Sequence, residues 1–201
     1  EKPLMRKEVK PVIDALLRYQ KSHIPNHLLV FGSRGSGKTL MVRYLKQILS
    51  DRLGFAYANC RRHNTTYKIL AHLVGAKPRG TSQSELWERF RNNYSSPRAV
   101  ILDEVDLLSD KDRHKDILYL LSRSNRSYMA ILLSNNPKFL SGLDESIKST
   151  LQPEIIHFTH YDAHQVRRIL EERARIGLEK NSRALLGKIA ALTTKKTNSD
   201  V

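Results

Sequence analysis

The segment that most constrains this chain runs from Gly32 to Thr39 and reads GSRGSGKT. An apolar run precedes it and an amphipathic segment follows it, which is the strand-then-helix context that the phosphate-binding pattern G-x-x-x-x-G-K-[ST] requires. Its glycines allow successive backbone amides to turn toward phosphate oxygens, which a Cβ atom would obstruct. The dipole of the following helix directs its positive end to the same place. The segment therefore predicts a phosphate-binding loop rather than a glycine-rich turn of an unrelated α/β protein.

We expect this phosphate loop (residues 32–39) to hold a nucleoside phosphate together with the first helical residue beyond it. Lys38 is expected to bridge the β- and γ-phosphates, and the Thr39 hydroxyl is expected to ligate a magnesium ion. The predicted nucleotide-binding residues here are Gly32, Ser33, Arg34, Gly35, Ser36, Gly37, Lys38, Thr39 and Leu40.

A second motif follows the apolar run 99–102, where the chain reads Asp103-Glu104. Acids often end strands, so the pair is informative mainly because a phosphate loop precedes it. In that setting Asp103 is predicted to hold magnesium and Glu104 to activate the water that attacks the γ-phosphate. Asp106 stays open between a site residue and a capping or surface acid.

A third candidate follows the apolar run 128–133, where the chain reads Ser134-Asn135-Asn136. A neutral polar side chain at this place is suited to contact the γ-phosphate or the attacking water, which would give Asn135 a catalytic role beside Lys38 and Glu104; its position alone leaves this open. The alternative is ordinary turn asparagine, which is common.

Apolar strands alternate with amphipathic helices along the chain, which predicts an α/β fold whose parallel sheet is covered on both faces. Ligands of such sheets bind at the carboxyl ends of the strands, where all three motifs lie. We expect the helix that follows the phosphate loop to run from Lys38 to Leu53 and to stop at Gly54.

Charge points to a polyanionic partner. The chain carries 35 Lys and Arg against 20 Asp and Glu, a net charge of +15 with a pI near 10.1, as expected of a nucleic-acid binder. Basic residues near the polar loop 75–84 are candidates for DNA contact, although a solvated basic surface is the alternative.

No apolar run approaches the length of about 20 residues that spans a bilayer, so we expect no membrane partner. The single cysteine, Cys60, fits a reducing compartment.

Together these residues resemble the AAA+ ATPases, and within them the archaeal and eukaryotic replication initiators, the origin recognition complex and cell division control proteins. The resemblance spans nearly the whole chain. The stretches that carry the narrower assignment are Pro3 with 6–8, 59–61 with 66–67, 78–82, 134–136 with 143–144 and 148–149, and 161–166 with 168–170 and 173–174.

The resemblance implies a five-stranded parallel sheet between helices (residues 1–160) followed by the start of an α-helical lid (residues 161–201). It implies an ATPase that binds ATP or ADP with Mg²⁺, with Arg6 in the segment that covers the adenine. Its implied partners are origin duplex DNA, other initiator subunits and the replicative helicase. It places Lys77, Arg79 and Gly80 in an insertion that contacts DNA, and the protein in an archaeal cytoplasm at the nucleoid or in a eukaryotic nucleus.

Two departures from the family pattern bear on activity. Residues 198–201 resemble the start of the sensor 2 helix, so we expect the sensor 2 arginine and a winged helix to lie outside this chain. Relatives often carry an arginine finger before the last strand, but residues 140–153 contain none; Ser146 stands at the expected place and Lys148 is the cation there. We therefore expect weak intrinsic hydrolysis.

Two other functions remain open. One is a nucleotide-gated DNA-binding module with negligible turnover, and the other is a different AAA+ member such as a clamp-loader or helicase-loader subunit. The loop 75–84 argues against the latter.

Overall fold

A computed structural model describes residues 4, 6–77, 80–93, 98–112, 115–124, 128–177 and 183–196. Its centre is a five-stranded sheet in the spatial order β2-β3-β4-β1-β5, with every neighbouring pair parallel. The predicted α/β fold with a five-stranded parallel sheet is confirmed. The strands are β1 (Leu28–Gly32), β2 (Gly54–Asn59), β3 (Arg98–Asp103), β4 (Tyr128–Ser134) and β5 (Glu154–Phe158).

Helices cover both faces of the sheet. The two layers of core explain why β3 and β4 are apolar almost throughout, since alternate side chains of each strand enter opposite layers. One layer includes α1 and α2, and the other includes α3 to α6. The helices are α1 (Val9–Ser22), α2 (Lys38–Leu49), α3 (Thr66–Val74), α4 (Gln83–Asn93), α5 (Asp116–Ser122), α6 (Glu145–Leu151), α7 (Ala163–Gly177) and α8 (Arg183–Lys196).

The helix after the phosphate loop is shorter than its apolar pattern predicts. Helix α2 ends at Leu49, and the backbone amides of Arg52 and Leu53 both donate to the Leu49 carbonyl. This turn closes the helix, so the prediction that it continues to Leu53 is wrong. Gly54 opens β2 instead of ending a helix; a Cβ atom there would lie 3.1 Å from the Arg98 guanidinium.

Helices α7 and α8 follow the last strand and pack against each other. A small apolar cluster of Leu4, Tyr161, Val166 and Ala190 joins them to the start of the chain. The division into 1–160 and 161–201 stays a prediction. Within the residues described above, no helix is both long and apolar enough to cross a membrane.

A buried histidine, His27, connects three strands at the amino-terminal end of β1. The Nδ1 atom of His27 accepts a hydrogen bond of 3.0 Å from the Ala130 amide, and the His27 carbonyl accepts one of 2.8 Å from the Glu154 amide. His27 therefore links the start of β1 to both neighbouring strands. Burial lowers the pKa of His27 to about 4, because the charged imidazolium would lose its hydration and the Nδ1 acceptor.

This histidine makes stability depend on pH in a defined window. Above its unfolded pKa of about 6.5 the ring is neutral in both states, and below this value the unfolded chain takes up the proton first. We expect the free energy of unfolding to fall by about 3 kcal/mol between pH 6.5 and 4 through this group. In His27→Asn, whose Oδ1 can still accept from Ala130, that component should be absent. Urea unfolding of both chains across this range checks it, and equal slopes would contradict it.

Candidate nucleotide-binding site

The predicted motifs meet at one edge of the sheet, where β1, β3 and β4 end. A cavity of about 780 Å³ opens there, within the usual size range of small-molecule sites. It is lined by the phosphate-loop residues 34–39 and Leu40, by Asp103, Glu104 and Asn135, and by residues of α7. Gly32, Ser33 and Arg6, which were also predicted to bind nucleotide, do not line it.

Two glycines of the phosphate loop are required by close neighbours. Gly37 has a φ of 87°, and a Cβ atom there would collide with the Tyr161 hydroxyl. A Cβ atom on Gly32 would collide with the carbonyl oxygen of Phe158 on β5. Gly32 and Gly37 are therefore needed for packing against Phe158 and Tyr161, in addition to the phosphate binding that the motif predicts.

Lys38 lies at the bottom of this site, with its side chain turned into the phosphate loop. Its ammonium donates to the carbonyls of Gly32 and Ser33, both at 2.8 Å, and to Asn135 Oδ1 at 3.1 Å. Ser36 Oγ lies at 3.2 Å. Burial lowers the pKa of Lys38 to about 8, against the opposing effect of Asp103, Asp106 and Glu104.

Every acceptor of this ammonium is neutral, and no carboxylate of the described residues forms an ion pair with it. A buried cation without a paired anion is unfavourable. The side chain of Lys38 therefore fits a negatively charged phosphate group as its partner.

Thr39 and Asp103 bring two oxygen-bearing groups together. The Thr39 hydroxyl lies 3.0 Å from Asp103 Oδ2 and 3.2 Å from Oδ1. Carboxylate and hydroxyl oxygens are hard ligands of the kind that Mg²⁺ prefers, so the pair fits a magnesium ion. Tyr57 on β2 donates to Asp103 Oδ2 at 2.8 Å, a contact that no sequence motif signalled.

Glu104 is held by two residues from β2 and the turn after it. Its carboxylate accepts from Asn59 Nδ2 at 3.1 Å and from Arg61 Nε at 3.2 Å. The hydrogen bond from Arg61 lowers the pKa of Glu104, with burial opposing it. Its backbone is left-handed, with a φ of 54°, a conformation that is uncommon in non-glycine residues.

Asp106, left open by the sequence, orients the turn that carries Asn135. Its Oδ1 atom accepts from Ser134 Oγ and from the Asn135 amide, both at 3.0 Å. Asn135 in turn accepts from Lys38. One hydrogen-bonded chain thus joins the end of β3, the end of β4 and the phosphate loop.

Arg6 supports the phosphate loop from behind the cavity. Its guanidinium donates to the Ser36 carbonyl at 3.2 Å, to Glu8 Oε1 at 2.9 Å and to both oxygens of Thr159. It also lies over the Tyr161 ring, 4.5 Å from the centroid. The structure therefore places Arg6 against protein groups. Its ion-pair partner, Glu8, is only two residues away in sequence, but an acid so close to an arginine is too common to predict the pair.

The residues expected to contact DNA lie away from this cavity. Lys77 and Gly80 are exposed in the segment between α3 and α4. Gly80 has a φ of 77° and open space around its α-carbon. Arg79 lies outside the described residues.

Comparison with known proteins decides the family. The AAA domain family model matches residues 23–143, which is more than half of the chain. The chain belongs to the AAA domain family. The matched residues include the phosphate loop, Asp103, Glu104 and Asn135, which form this site.

This AAA domain is similar to archaeal proteins named ORC1-type DNA replication protein 1. The protein from Sulfurisphaera tokodaii is 32% identical over 191 residues, covering 87% of this chain and 48% of the relative. The protein from Sulfolobus acidocaldarius is 31% identical over 193 residues, covering 88% of this chain and 48% of the relative. The resemblance to the replication-initiator family is confirmed. The chain spans about half the length of these curated relatives.

Solved structures agree with this. The Aeropyrum pernix ORC1 protein in complex with DNA has a TM-score of 0.82 and 26% identity, covering 98% of this chain and 56% of that one. Cdc6p from Pyrobaculum aerophilum, at 21% identity and a TM-score of 0.78 over 92% of this chain and 54% of that one, shares the fold.

The buried ammonium leads to a first test of the site. In Lys38→Ala, ATP and ADP affinity should fall by about 10- to 100-fold, because a hydrogen bond to a charged group contributes about 1.5–3 kcal/mol. Titration calorimetry with each nucleotide measures this, and Lys46→Ala, an exposed position on the same helix, is the matched control. Unchanged affinity in Lys38→Ala would show that the phosphate loop does not hold nucleotide.

Proposed function

We propose that this AAA domain binds ATP or ADP with Mg²⁺, hydrolyses ATP slowly, and acts as the nucleotide-dependent part of a replication initiator. Such a protein would bind origin duplex DNA, assemble with other initiator subunits and help to load the replicative helicase. The convergence of Lys38, Thr39 and Asp103 on one cavity carries the nucleotide part of the proposal. Similarity to ORC1-type replication proteins supports the initiator part. Its place would be an archaeal nucleoid or a eukaryotic nucleus.

Each residue of the cavity has a separate task in this proposal. The Lys38 ammonium would exchange neutral acceptors for phosphate oxygens, and Thr39 and Asp103 would hold the magnesium ion. That ion supplies positive charge that stabilises the phosphate oxygens during transfer. Asn135, already within reach of Lys38 Nζ at 3.1 Å, would contact the γ-phosphate end of the nucleotide.

Glu104 would accept a proton from the attacking water. A base in this role needs a free carboxylate oxygen within hydrogen-bond reach of that water. Both Glu104 oxygens accept from Arg61, and Oε2 also accepts from Asn59. Turnover therefore requires at least one Glu104 oxygen to leave its partner, which makes slow hydrolysis the expected resting behaviour.

These contacts also favour a second candidate function, a nucleotide-gated DNA-binding module with negligible turnover. In that case the bound nucleotide would set the conformation, and Glu104 would remain with Asn59 and Arg61. The lack of an arginine in residues 140–153 points the same way, since an arginine finger contributes about 10³- to 10⁵-fold in rate.

Steady-state phosphate release separates the two candidates. We expect Glu104→Gln to bind ATP with near-parental affinity and to lose about 10²- to 10⁴-fold in turnover, the usual contribution of a general base. We expect Arg61→Ala to raise turnover several-fold, because Glu104 Oε1 then loses its partner while Asn59 still holds Oε2; Arg62→Ala, at the next exposed position, is its control. Normal turnover in Glu104→Gln would remove Glu104 as the base. Undetectable turnover in the parent and in Arg61→Ala would favour the second candidate.

Residues 161–201 form, in this proposal, the start of a lid over the nucleotide. Helix α7 contributes Ile169 and Arg173 to the cavity lining, and Tyr161 lies against Gly37 of the phosphate loop. Helix α8 packs on α7 and places Ala190 in the same small cluster. A bound nucleotide would therefore contact the sheet edge and these helices together.

The DNA-binding part of the proposal rests on charge and on the exposed α3–α4 segment. A net charge of +15 favours a polyanion. Lys77 and Gly80 present an exposed cation next to accessible backbone, a combination suited to phosphate contacts. Arg79 is included from the sequence.

Removing one of these cations gives a quantitative test. In Lys77→Ala, duplex-DNA affinity should fall and the slope of log K against log salt should decrease by about 1, the value for one lost phosphate contact. Lys21→Ala, an exposed cation at the end of α1, is the control. Fluorescence anisotropy over a salt series measures both, and identical slopes in the parent and Lys77→Ala would remove this loop as a DNA contact.

A further inference from the structure

Tyr57 contacts the predicted magnesium ligand from β2, the strand next to the one that carries Asp103. Strands β2 and β3 pair in a register that places Tyr57 opposite Ile101 and Asn59 opposite Asp103. Side chains two residues apart on a strand share a face, so the long Tyr57 side chain reaches forward along that face to Asp103. Its hydroxyl lies 2.8 Å from Oδ2, closer than the Thr39 hydroxyl lies to either oxygen of this carboxylate.

Hydrogen-bonding capacity fixes the direction of these contacts. An ionised carboxylate can only accept, so the hydroxyls of Thr39 and Tyr57 both donate to Asp103. The Tyr57 proton therefore points to Asp103.

Tyr57 keeps its proton in this environment. Burial raises its pKa, the hydrogen bond to Asp103 raises it further, and Arg43 opposes both effects. The raised pKa agrees with the direction of the hydrogen bond to Asp103.

The two donors differ in what they constrain. Thr39 approaches both carboxylate oxygens, at 3.0 and 3.2 Å, whereas Tyr57 binds Oδ2 alone. A one-sided hydrogen bond from a stiff aromatic side chain in a strand limits rotation of the carboxylate. Among the described residues Oδ1 accepts only from Thr39, at 3.2 Å, so it is the carboxylate oxygen with more capacity left for a magnesium ion.

We propose that Tyr57 is a positioning residue that orients the Asp103 carboxylate and thereby raises the Mg²⁺ affinity of the nucleotide site. This inference rests on the proposed nucleotide-binding function. It adds to that function a determinant on β2, outside the phosphate loop and the acidic motif. Groups that orient metal-ligating carboxylates typically change metal affinity by about 10- to 100-fold when removed.

The test is the Mg²⁺ dependence of ADP binding, measured by calorimetry on the whole chain across a Mg²⁺ series and in EDTA. We expect Tyr57→Phe to need about 10- to 100-fold more Mg²⁺ for half of the affinity gain. In EDTA its ADP affinity should equal that of the parent within about twofold, because Lys38 and the loop amides are unchanged. The matched control is Tyr44→Phe, a half-buried tyrosine of α2 whose hydroxyl forms no hydrogen bond within the described part of the chain.

Every result bears on the inference. An unchanged Mg²⁺ midpoint in Tyr57→Phe would overturn it. Loss of folding, or an equal loss of ADP affinity in EDTA, would show a structural role and would overturn it as well. If Mg²⁺ raises the ADP affinity of the parent and Tyr57→Phe has the same Mg²⁺ midpoint, the proposed function stands and this inference fails. If the parent does not bind ADP at all, the proposed function fails first and this inference with it.

Discussion

The buried ammonium of Lys38 is the interaction on which the arrangement of this site depends. Its acceptors come from the end of β1, from the phosphate loop and from the turn after β4. Gly32, Ser33 and Ser36 are close to Lys38 in sequence, whereas Asn135 is 97 residues away, and this buried cation joins them. All of them are neutral, although Asp103, Asp106 and Glu104 lie near enough to raise the pKa of Lys38. A phosphate group would give the ammonium the anionic partner that its direct acceptors lack.

Three acids that follow the same strand have three different surroundings. Asp103 faces Thr39 and Tyr57, Glu104 faces Asn59 and Arg61, and Asp106 accepts from the turn that carries Asn135. The left-handed backbone at Glu104 turns the chain between them. One short segment thereby supplies a metal-ligand candidate, a base candidate and a structural acceptor. The role assigned to each acid depends on its hydrogen-bond partners, since aspartate and glutamate carry the same functional group.

Local patterns in the sequence are sufficient to predict the sheet, the phosphate loop and the carboxyl-edge location of the motifs. A strand, a glycine turn and a helix are encoded within a few consecutive residues. The contacts of Tyr57 and Asn59 depend instead on the register of β2 against β3, which no single stretch encodes. Arg6 was expected at the nucleotide but lies against Ser36, Glu8 and Thr159, because burial gave its guanidinium closer protein partners. Helix α2 ended early because its apolar pattern continues into a turn.

The contact between Gly37 and Tyr161 changes how loss-of-function substitutions in this loop should be understood. A methyl group at position 37 would meet the Tyr161 hydroxyl before it met any ligand, and Tyr161 belongs to the apolar cluster that includes Val166 and Ala190. An alanine there would disturb the seating of the last two helices as well as the loop. A genetic defect from that change would therefore combine two causes, an altered phosphate loop and a displaced α7 and α8.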